Sequence, residues 1–171
     1  MDIQSLTNDP EGIIEADRAH VWHHLSQHKP YANGVDPRII VEGKGMRVWD
    51  IKGKEHLDAV SGAVWTVNIG YGRKRMGDAI SDAVTKMCFF GGSMGTIPGA
   101  TFAEMLIDKM PGLDRVYYAN SGSEANEKAF KMVRQISHKH RGGKKHKILF
   151  RDRDYHGTTI ATLSAGGQEE R

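Results

Sequence analysis

The 171-residue sequence contains a single cysteine, Cys88, so no internal disulfide can form. Phe89 and Phe90 follow it directly, and this apolar setting predicts that Cys88 is a small core residue rather than a nucleophile. No apolar run approaches the roughly 20 residues that a membrane-spanning helix requires, and residues 1–4 lack the basic-then-apolar pattern of a signal peptide. These absences predict a protein of the reducing cytoplasm.

The sequence also has little excess of one charge over the other, because 24 basic and 21 acidic residues leave a net charge of +3. This balance does not favour nucleic acid as a partner. The most basic stretch, residues 138–147, contains a Gly-Gly pair and no aromatic residue, which favours a solvated loop over a phosphate-binding patch. The nine histidines show no metal-ligand spacing, and the adjacent His23 and His24 diverge on a helix. We therefore expect no bound metal, no nucleic acid and no membrane contact.

The first part of the sequence predicts one helix followed by a small antiparallel sheet. Apolar residues recur at helical spacing over residues 11–28, with an Asp-Pro start signal at 9–10 and a Lys-Pro stop at 29–30. Two β-rich runs flank a Gly-x-Gly turn within residues 39–50, which is typical of a hairpin. Residues 56–60 then predict a third short strand.

From residue 71 onward the pattern changes to alternating helices and strands. Three apolar stripes predict helices, and two β-propensity runs, 115–119 and 147–151, predict strands. This order implies a right-handed βαβ unit, so we expect an α/β fold with a mostly parallel sheet. On the third helix, the pairs Glu124–Lys128 and Glu127–Lys131 are spaced for i,i+4 ion pairs on its outer face. The stripes are Met76, Ile80, Ala83, Val84 and Met87; Phe102, Leu106 and Met110; and Ala125, Ala129, Met132, Val133 and Ile136.

A tight turn connects the predicted strand 115–119 to the third helix. At the start of a helix, unpaired backbone N–H groups and the positive end of the dipole favour an anion. Gly122 allows a phosphate to approach the backbone, and the hydroxyls of Ser121 and Ser123 add hydrogen bonds. By local physics alone, the favoured interpretation is a capping box of Ser121 and Glu124, which satisfies these N–H groups without a ligand.

The segment Tyr155-His156-Gly157 follows the second predicted strand. It therefore lies at the same carboxyl edge of the sheet, where open α/β folds bind ligands. An aromatic ring there stacks on a flat heterocycle and Gly157 leaves space beside it, although a core tyrosine followed by a turn is the commoner origin of such a segment. Together the two segments suit a phosphorylated planar cofactor. The sequence carries neither the P-loop motif nor the dinucleotide-binding fingerprint at these turns, which argues against both kinds of site.

Residues 120–127, Asn-Ser-Gly-Ser-Glu-Ala-Asn-Glu, with Tyr-His-Gly at 155–157, resemble the class III pyridoxal-phosphate (PLP) aminotransferases, and the likeness extends backwards through the whole chain. It implies the type I fold of PLP-dependent transferases, as in aspartate aminotransferase, in truncated form. Residues 1–72 would then form an N-terminal helix and antiparallel meander that belong to a small domain. Residues 73–171 would form the first, incomplete part of the PLP-binding large domain.

The resemblance also assigns roles to individual residues. It implies that pyridoxal 5′-phosphate is held through its phosphate at the Ser-Gly-Ser turn, which retains its capping role, and through its ring by a stacking tyrosine. It implies a partly aromatic substrate pocket, with a Phe-Phe pair that reaches across a dimer interface or, as the open alternative, lies in the core. The cofactor-binding residues are Ser121, Gly122, Ser123, Tyr155, His156 and Gly157. The substrate-binding residues are Trp65, Tyr31, Phe89 and Phe90.

The activity that the resemblance implies is transamination, in which an amino donor passes its amine to PLP and an α-keto acid receives it. Residues 6–10, 16–24 and 27–30 are most similar to members that act on ω-amino compounds, which points to taurine as donor and pyruvate as acceptor. The resemblance also implies a cytoplasmic homodimer or higher homo-oligomer. The family's PLP-binding lysine and its ring-nitrogen aspartate have no counterpart here. We therefore expect a fragment that is inactive alone. A PLP-dependent aminomutase and a non-catalytic interaction module are the alternatives.

Overall fold

The computed structural model describes residues 9–24, 26–91 and 93–169. The N-terminal residues 1–8, on which the signal-peptide argument and part of the family likeness rest, lie outside the described residues, as does Leu25 of the predicted first helix. Contacts within the chain group into two compact units, Met1–Gly91 and Gly92–Arg171. Among the described residues, the structure contains no helix of the length and apolarity that a membrane crossing requires.

Helix α1 (Pro10–His20) opens the first unit, and it starts where the sequence predicts. Asp9 Oδ1 accepts a hydrogen bond from the Gly12 amide at 2.9 Å, and the proline occupies the first turn, where its missing N–H costs nothing. The predicted continuation of this helix to residue 28 is wrong, because the backbone becomes extended at Val21.

The early end of α1 has a side-chain cause. His23 Nε2 lies 2.7 Å from Asp17 Oδ1, and the His23 and Tyr31 rings pack with their centroids 5.0 Å apart. In one continuous helix these two residues would be separated by about 12 Å along the axis. The chain therefore folds back and starts a second short helix, α2 (Lys29–Ala32), at the Lys-Pro pair that predicts a stop.

Three short strands form the predicted antiparallel meander. The hairpin turn between the first two contains Gly45, whose φ of 61° suits glycine. The Asp50 carboxylate closes the second turn by accepting from the amides of Lys52 and Lys54, each at 3.0 Å. The last strand is shorter than predicted, because a turn begins at residue 59. The strands, hydrogen-bonded in sequence order, are β1 (Ile40–Lys44), β2 (Arg47–Asp50) and β3 (Glu55–Leu57).

A π-helical turn (Ser61–Trp65) and helix α3 (Lys74–Lys86) follow the meander. Helix α3 carries the first apolar stripe, so the helix predicted there is confirmed. The segment after α3 corrects the prediction for Cys88, whose side chain is exposed. Phe89 and Phe90 beside it are exposed as well. These neighbours are apolar, but no element within the described unit covers them, and apolar neighbours alone do not bury a side chain.

The described part of the second unit contains three helices. The second and third apolar stripes fall largely on the first two of them, so both predicted helices are confirmed. The longest carries Glu124 in its first turn and four basic residues in its last, which complements the helix dipole. It ends at Gly142, whose φ of 57° is left-handed, and the Gly142 and Gly143 amides both donate to the Ser137 carbonyl. The helices are α4 (Ile97–Ile107), α5 (Gly122–Arg141) and α6 (Ile160–Ser164).

The two runs predicted as parallel strands, 115–119 and 147–151, form no strands in this structure. Within the described residues the three-stranded meander is the sheet that forms. A strand exists only through hydrogen bonds to a neighbouring strand. The prediction of a βαβ unit assumed that the two runs lie side by side and pair with each other. The chain does not pair them, so neither run has a ladder partner.

The apolar core of the described residues is small. Its buried hydrophobic residues are Ile14, Val48 and Ala165. The apolar stripes of α3, α4 and α5 are instead largely exposed, and apolar faces of this extent are typical of surfaces that contact other protein. The exposed stripe residues are Met76, Ile80, Val84, Met87, Phe102, Met110, Met132, Val133 and Ile136.

Candidate functional site

The start of helix α5 forms the first part of the site. Ser121 caps the helix, because its Oγ accepts a hydrogen bond from the Glu124 amide at 3.2 Å. The Glu124 carboxylate accepts in turn from the Asn120 amide at 2.9 Å. The predicted capping is therefore confirmed. The Glu124 carboxylate, however, bonds to the amide of Asn120, one residue before the capping Ser121, rather than to the amide of Ser121 itself. The amides of Gly122 and Ser123 still have no acceptor inside the helix, because no earlier turn precedes them.

The space beside this turn is open. A Cβ built on Gly122 would meet no atom within 4 Å, and Ser121 and Gly122 are both exposed. The positive end of the α5 dipole, summed over 20 residues, is directed into this space. An anion that approaches here finds two N–H donors beside the open position of Gly122.

The predicted Tyr-His-Gly segment packs against the same end of α5. The Thr158 amide donates to Ser123 Oγ at 3.1 Å, and Asn126 Nδ2 donates to the His156 carbonyl at 2.7 Å. The two segments that the sequence places at one edge are therefore in contact. Ser123 Oγ acts as an acceptor in this bond, so its own O–H is left to donate to an anion.

Gly157 allows this close contact. Its φ is 136°, and a Cβ at this position would lie 2.3 Å from Ser123 Oγ and 2.8 Å from Thr162 Oγ1. Side chains do not approach a Cβ so closely. The sequence predicts Gly157 as open space beside an aromatic ring, whereas in the structure its lack of a side chain lets the loop lie against α5.

Tyr155 directly follows Asp154, which hydrogen bonds hold in place, and the Tyr155 ring is half exposed. The Asp154 carboxylate accepts from the Arg151 amide at 3.0 Å and from the Arg151 guanidinium at 3.1 Å. These bonds lower the pKa of Asp154 below its ordinary value of 3.8, so the carboxylate is charged at neutral pH. His156 Nε2 lies 3.7 Å from the same carboxylate. The loop thus presents an aromatic ring next to a fixed backbone.

The four residues predicted to bind substrate lie in the first unit, at three places along the chain. Tyr31 belongs to an aromatic cluster that includes His23. Trp65 ends the π-helical turn, and its side chain is 77% exposed. Phe89 and Phe90 are 81% and 56% exposed, which contradicts the alternative that they are core residues. All four side chains are therefore accessible in whole or in part.

A carboxylate that the sequence does not single out fixes the turn before Trp65. Asp58 Oδ2 accepts from the Tyr71 hydroxyl and from the Gly62 amide, both at 2.6 Å. Ser61 and Trp65 have φ values of 57° and 60°, a left-handed conformation that costs of order 1–3 kcal/mol for such residues. The Asp58 hydrogen bonds therefore hold a strained turn in place.

This arrangement predicts an acid-sensitive turn. The Tyr71 hydroxyl, and after it the Gly62 amide, lower the pKa of Asp58 below its ordinary 3.8. The carboxylate therefore stabilises the turn above that pH, and the contribution is lost as the pH falls through the lowered value. We expect acidification through this lowered pKa, which lies below 3.8, to release Trp65 in the full-length protein. A Tyr71→Phe variant loses the strongest of these bonds, so its transition is expected at a higher pH.

Tryptophan fluorescence measures this transition once the two other tryptophans of these 171 residues are removed by Trp22→Phe and Trp49→Phe, and any tryptophans in the remainder of the full-length protein are replaced as well. An Asp82→Asn variant, changed at an exposed carboxyl of α3, is the matched control and should titrate like the parent. A midpoint that Tyr71→Phe leaves unmoved would contradict the role given to Asp58.

Glu127 is the second residue that sequence reasoning misses. Its Oε1 accepts from the Thr159 hydroxyl at 2.6 Å and from the Ala161 amide at 3.1 Å. The sequence does contain a signal for this contact, because Ser123, Asn126 and Glu127 are spaced i, i+3, i+4 and share one face of α5. That face lies against the loop, and each of the three side chains bonds to it.

Neither of the predicted i,i+4 ion pairs of α5 forms. The Glu124 carboxylate is bonded to the backbone, and Glu127 faces the loop instead of the outer face. The Lys128 amino group lies 4.1 Å from the centroid of the Tyr117 ring and donates to the Tyr118 carbonyl. Both ion-pair predictions are wrong. An exposed ion pair contributes little free energy, so the glutamates and Lys128 bond instead to the hydroxyl and backbone groups within their reach.

The donor set at the start of α5 suits an anion rather than a cation. It consists of backbone amides, serine hydroxyls and the end of a helix dipole, with an aromatic ring on the neighbouring loop. No group of three His, Cys, Asp or Glu side chains that could hold a metal converges in the part of the chain that the structure describes. The site therefore fits the two chemical parts of pyridoxal 5′-phosphate, a phosphate and a flat ring.

Comparison with known sequences identifies similar proteins across almost the whole chain. The family model of the class-III aminotransferases matches residues 30–171. The hypotaurine/taurine–pyruvate aminotransferase of Paracoccus denitrificans is 66% identical over 96% of this chain. The taurine–pyruvate aminotransferases of Rhodobacter capsulatus and Bilophila wadsworthia are 64% and 57% identical, each over 97% of it. The chain spans 36% of the length of each of these relatives.

Solved structures of transaminases share the fold. A transaminase from the marine bacterium Virgibacillus superposes with a TM-score of 0.88 at 31% identity, covering 94% of this chain and 37% of that one. The omega transaminase from Pseudomonas jessenii in complex with PMP gives a TM-score of 0.87 at 28% identity, covering 92% of this chain and 35% of that one. The predicted fold class, a truncated type I fold with a small antiparallel sheet, is therefore confirmed.

Proposed function

Because the chain belongs to the class-III aminotransferases, we propose that the full-length protein transfers the amino group of taurine to pyruvate with pyridoxal 5′-phosphate as its cofactor. The observation that carries this proposal is the 57–66% identity to enzymes named for that reaction, over 96–97% of this chain. The 171 residues hold the binding half of the cofactor site. The lysine and the aspartate of the family's chemistry are proposed to lie in the part of the full-length protein that these 171 residues do not cover.

In this proposal the start of α5 binds the phosphate. The backbone amides of Gly122 and Ser123 donate hydrogen bonds to the phosphate, and the hydroxyls of Ser121 and Ser123 donate further ones. Tyr155 stacks on the ring, and the His-Gly pair after it shapes the loop that carries it. When bound, PLP supplies the electron sink through which an amine leaves one substrate and enters another.

The first unit is proposed to supply part of the substrate pocket. Trp65, Tyr31 and the pair Phe89–Phe90 are exposed or partly exposed aromatic side chains, which suits the apolar lining of a small-molecule site. Residues 1–72 are proposed to belong to the small domain and residues 73–171 to the large domain of the full-length protein. We also propose that the full-length protein is a homodimer in the cytoplasm.

The reaction is tested with the full-length protein, saturated with PLP, taurine and pyruvate. We expect alanine and sulfoacetaldehyde to form in equal amounts, and turnover to stop when pyruvate is omitted. An aminomutase would continue without the keto acid, and a non-catalytic module would show neither turnover nor a cofactor absorbance band. Hypotaurine and β-alanine serve as matched donors. A higher kcat/KM with either of them would contradict taurine as the donor, and absence of alanine would contradict the reaction.

A further inference from the structure

One face of α5 holds the loop that carries Tyr155. Ser123, Asn126 and Glu127 lie on this face, and each of them bonds to a different part of the segment 156–159. The family resemblance assigns a role only to the serine. Asn126 bonds to the His156 carbonyl and Glu127 to the Thr159 hydroxyl, so both connect the start of α5 to the loop that carries Tyr155.

Glu127 makes the strongest of these connections. Its half-buried carboxylate accepts from both the Thr159 hydroxyl and the Ala161 amide, and a charged acceptor makes hydrogen bonds roughly twice as strong as a neutral one. Thr159 Oγ1 also lies 2.8 Å from Thr162 Oγ1, and Thr162 is fully buried. The carboxylate therefore fixes the end of the loop to the buried part of the unit.

The two ends of the loop are held by different charges. Arg151 and Asp154 hold the start of the loop by their hydrogen bonds, and Glu127 holds its end at Thr159. We propose that Glu127 is a positioning residue that sets the Tyr155 ring at a fixed distance from the start of α5, and so couples binding of the ring to binding of the phosphate. This inference rests on the proposed PLP site.

The coupling is measurable because the phosphate and the ring are separable ligands. In the full-length apoprotein, Glu127→Ala is expected to raise the PLP dissociation constant about tenfold or more, the loss typical of a hydrogen bond to a charged group. The inhibition constant of inorganic phosphate, measured as a competitor of PLP, is expected to stay within about threefold, because the start of α5 is intact. The visible circular dichroism of the bound cofactor should fall as its ring becomes less ordered.

Three further variants separate positioning from folding. Glu127→Gln keeps an acceptor oxygen and is expected to recover most of the PLP affinity. Thr159→Val removes the hydroxyl donor at nearly constant volume and is expected to weaken PLP about threefold or more, which carries the test where Glu127→Ala fails to fold. Gln135→Ala, at an exposed position of α5, is the matched control and should match the wild type in every measurement.

Equal loss of affinity for PLP and for inorganic phosphate in Glu127→Ala would overturn the inference, because it would indicate general damage to α5. An unchanged PLP affinity with a lowered melting temperature would also overturn it, leaving Glu127 a purely structural residue. The proposed function is judged separately on the wild type. If the wild type binds PLP and the variants bind it equally well, only the positioning role fails. If the wild type binds no PLP, both proposals fail.

Discussion

Replacing Gly157 with alanine is expected to weaken PLP binding by the full-length protein at least about thirtyfold, which corresponds to ~2 kcal/mol. The added Cβ would lie 2.3 Å from Ser123 Oγ, a distance at which one of the two groups must move. The backbone at φ 136° also lies in a region that alanine avoids, at a cost of order 1–3 kcal/mol. We expect the loop to shift away from α5, and this movement to separate the Tyr155 ring from the Ser123 hydroxyl.

Titration of the apoprotein with PLP, followed by cofactor absorbance, measures this loss. Gly77→Ala is the matched control, because Gly77 lies within α3, where an added Cβ meets no atom within 4 Å. The control is expected to bind PLP like the wild type and to gain up to about 1 kcal/mol of stability from the better helix propensity of alanine. Binding by Gly157→Ala within threefold of the wild type would show that the loop does not depend on this close contact.

Elements with local causes are predictable from this sequence. The Asp9 cap of α1, the meander β1–β3 and the apolar stripes of the three long helices each depend on residues no more than a few positions apart. The Ser-Gly-Ser turn belongs to the same class, because a helix start exposes its amides whatever the rest of the chain does. The structure confirms these elements, and at the Ser-Gly-Ser turn it confirms the helix start and its Ser121 cap.

Elements with distant causes are not predictable in this way. Helix α1 stops early because His23 packs against Tyr31, which its local apolar spacing does not reveal. The runs 115–119 and 147–151 have strand propensity, but a ladder is a property of two neighbouring segments. Cys88 shows the same limit, since its apolar neighbours predict burial and the structure leaves it exposed.

The candidate site shows both cases. Its two segments meet as predicted, although the contact is made by α5 rather than by a shared sheet edge. Asp58 and Glu127 are missed because their hydroxyl partners, on Tyr71 and Thr159, lie 13 and 32 positions away. In the sequence each carboxylate resembles an ordinary surface charge. Only the fold brings the hydroxyl and amide donors to it.

Replacing Gly122 with valine is expected to weaken PLP binding without disturbing the local structure, in contrast to the change at Gly157. An added Cβ at Gly122 meets no atom within 4 Å, and the residue stands in the first turn of α5. The free energy of unfolding should therefore change by no more than about 0.5 kcal/mol. The isopropyl group would instead fill the space through which a phosphate reaches the two free amides. We expect PLP affinity to fall about a hundredfold, or ~2.7 kcal/mol.

Pyridoxal, which lacks the phosphate, separates this effect from any change in the ring site. The wild type should bind PLP far more tightly than pyridoxal, and Gly122→Val should lose most of that preference while its affinity for pyridoxal stays constant. Gly77→Val in α3 is the matched control, since it adds the same side chain at another open position. Equal losses for PLP and pyridoxal in Gly122→Val would place the effect on the Tyr155 loop. The start of α5 would then not be the phosphate site.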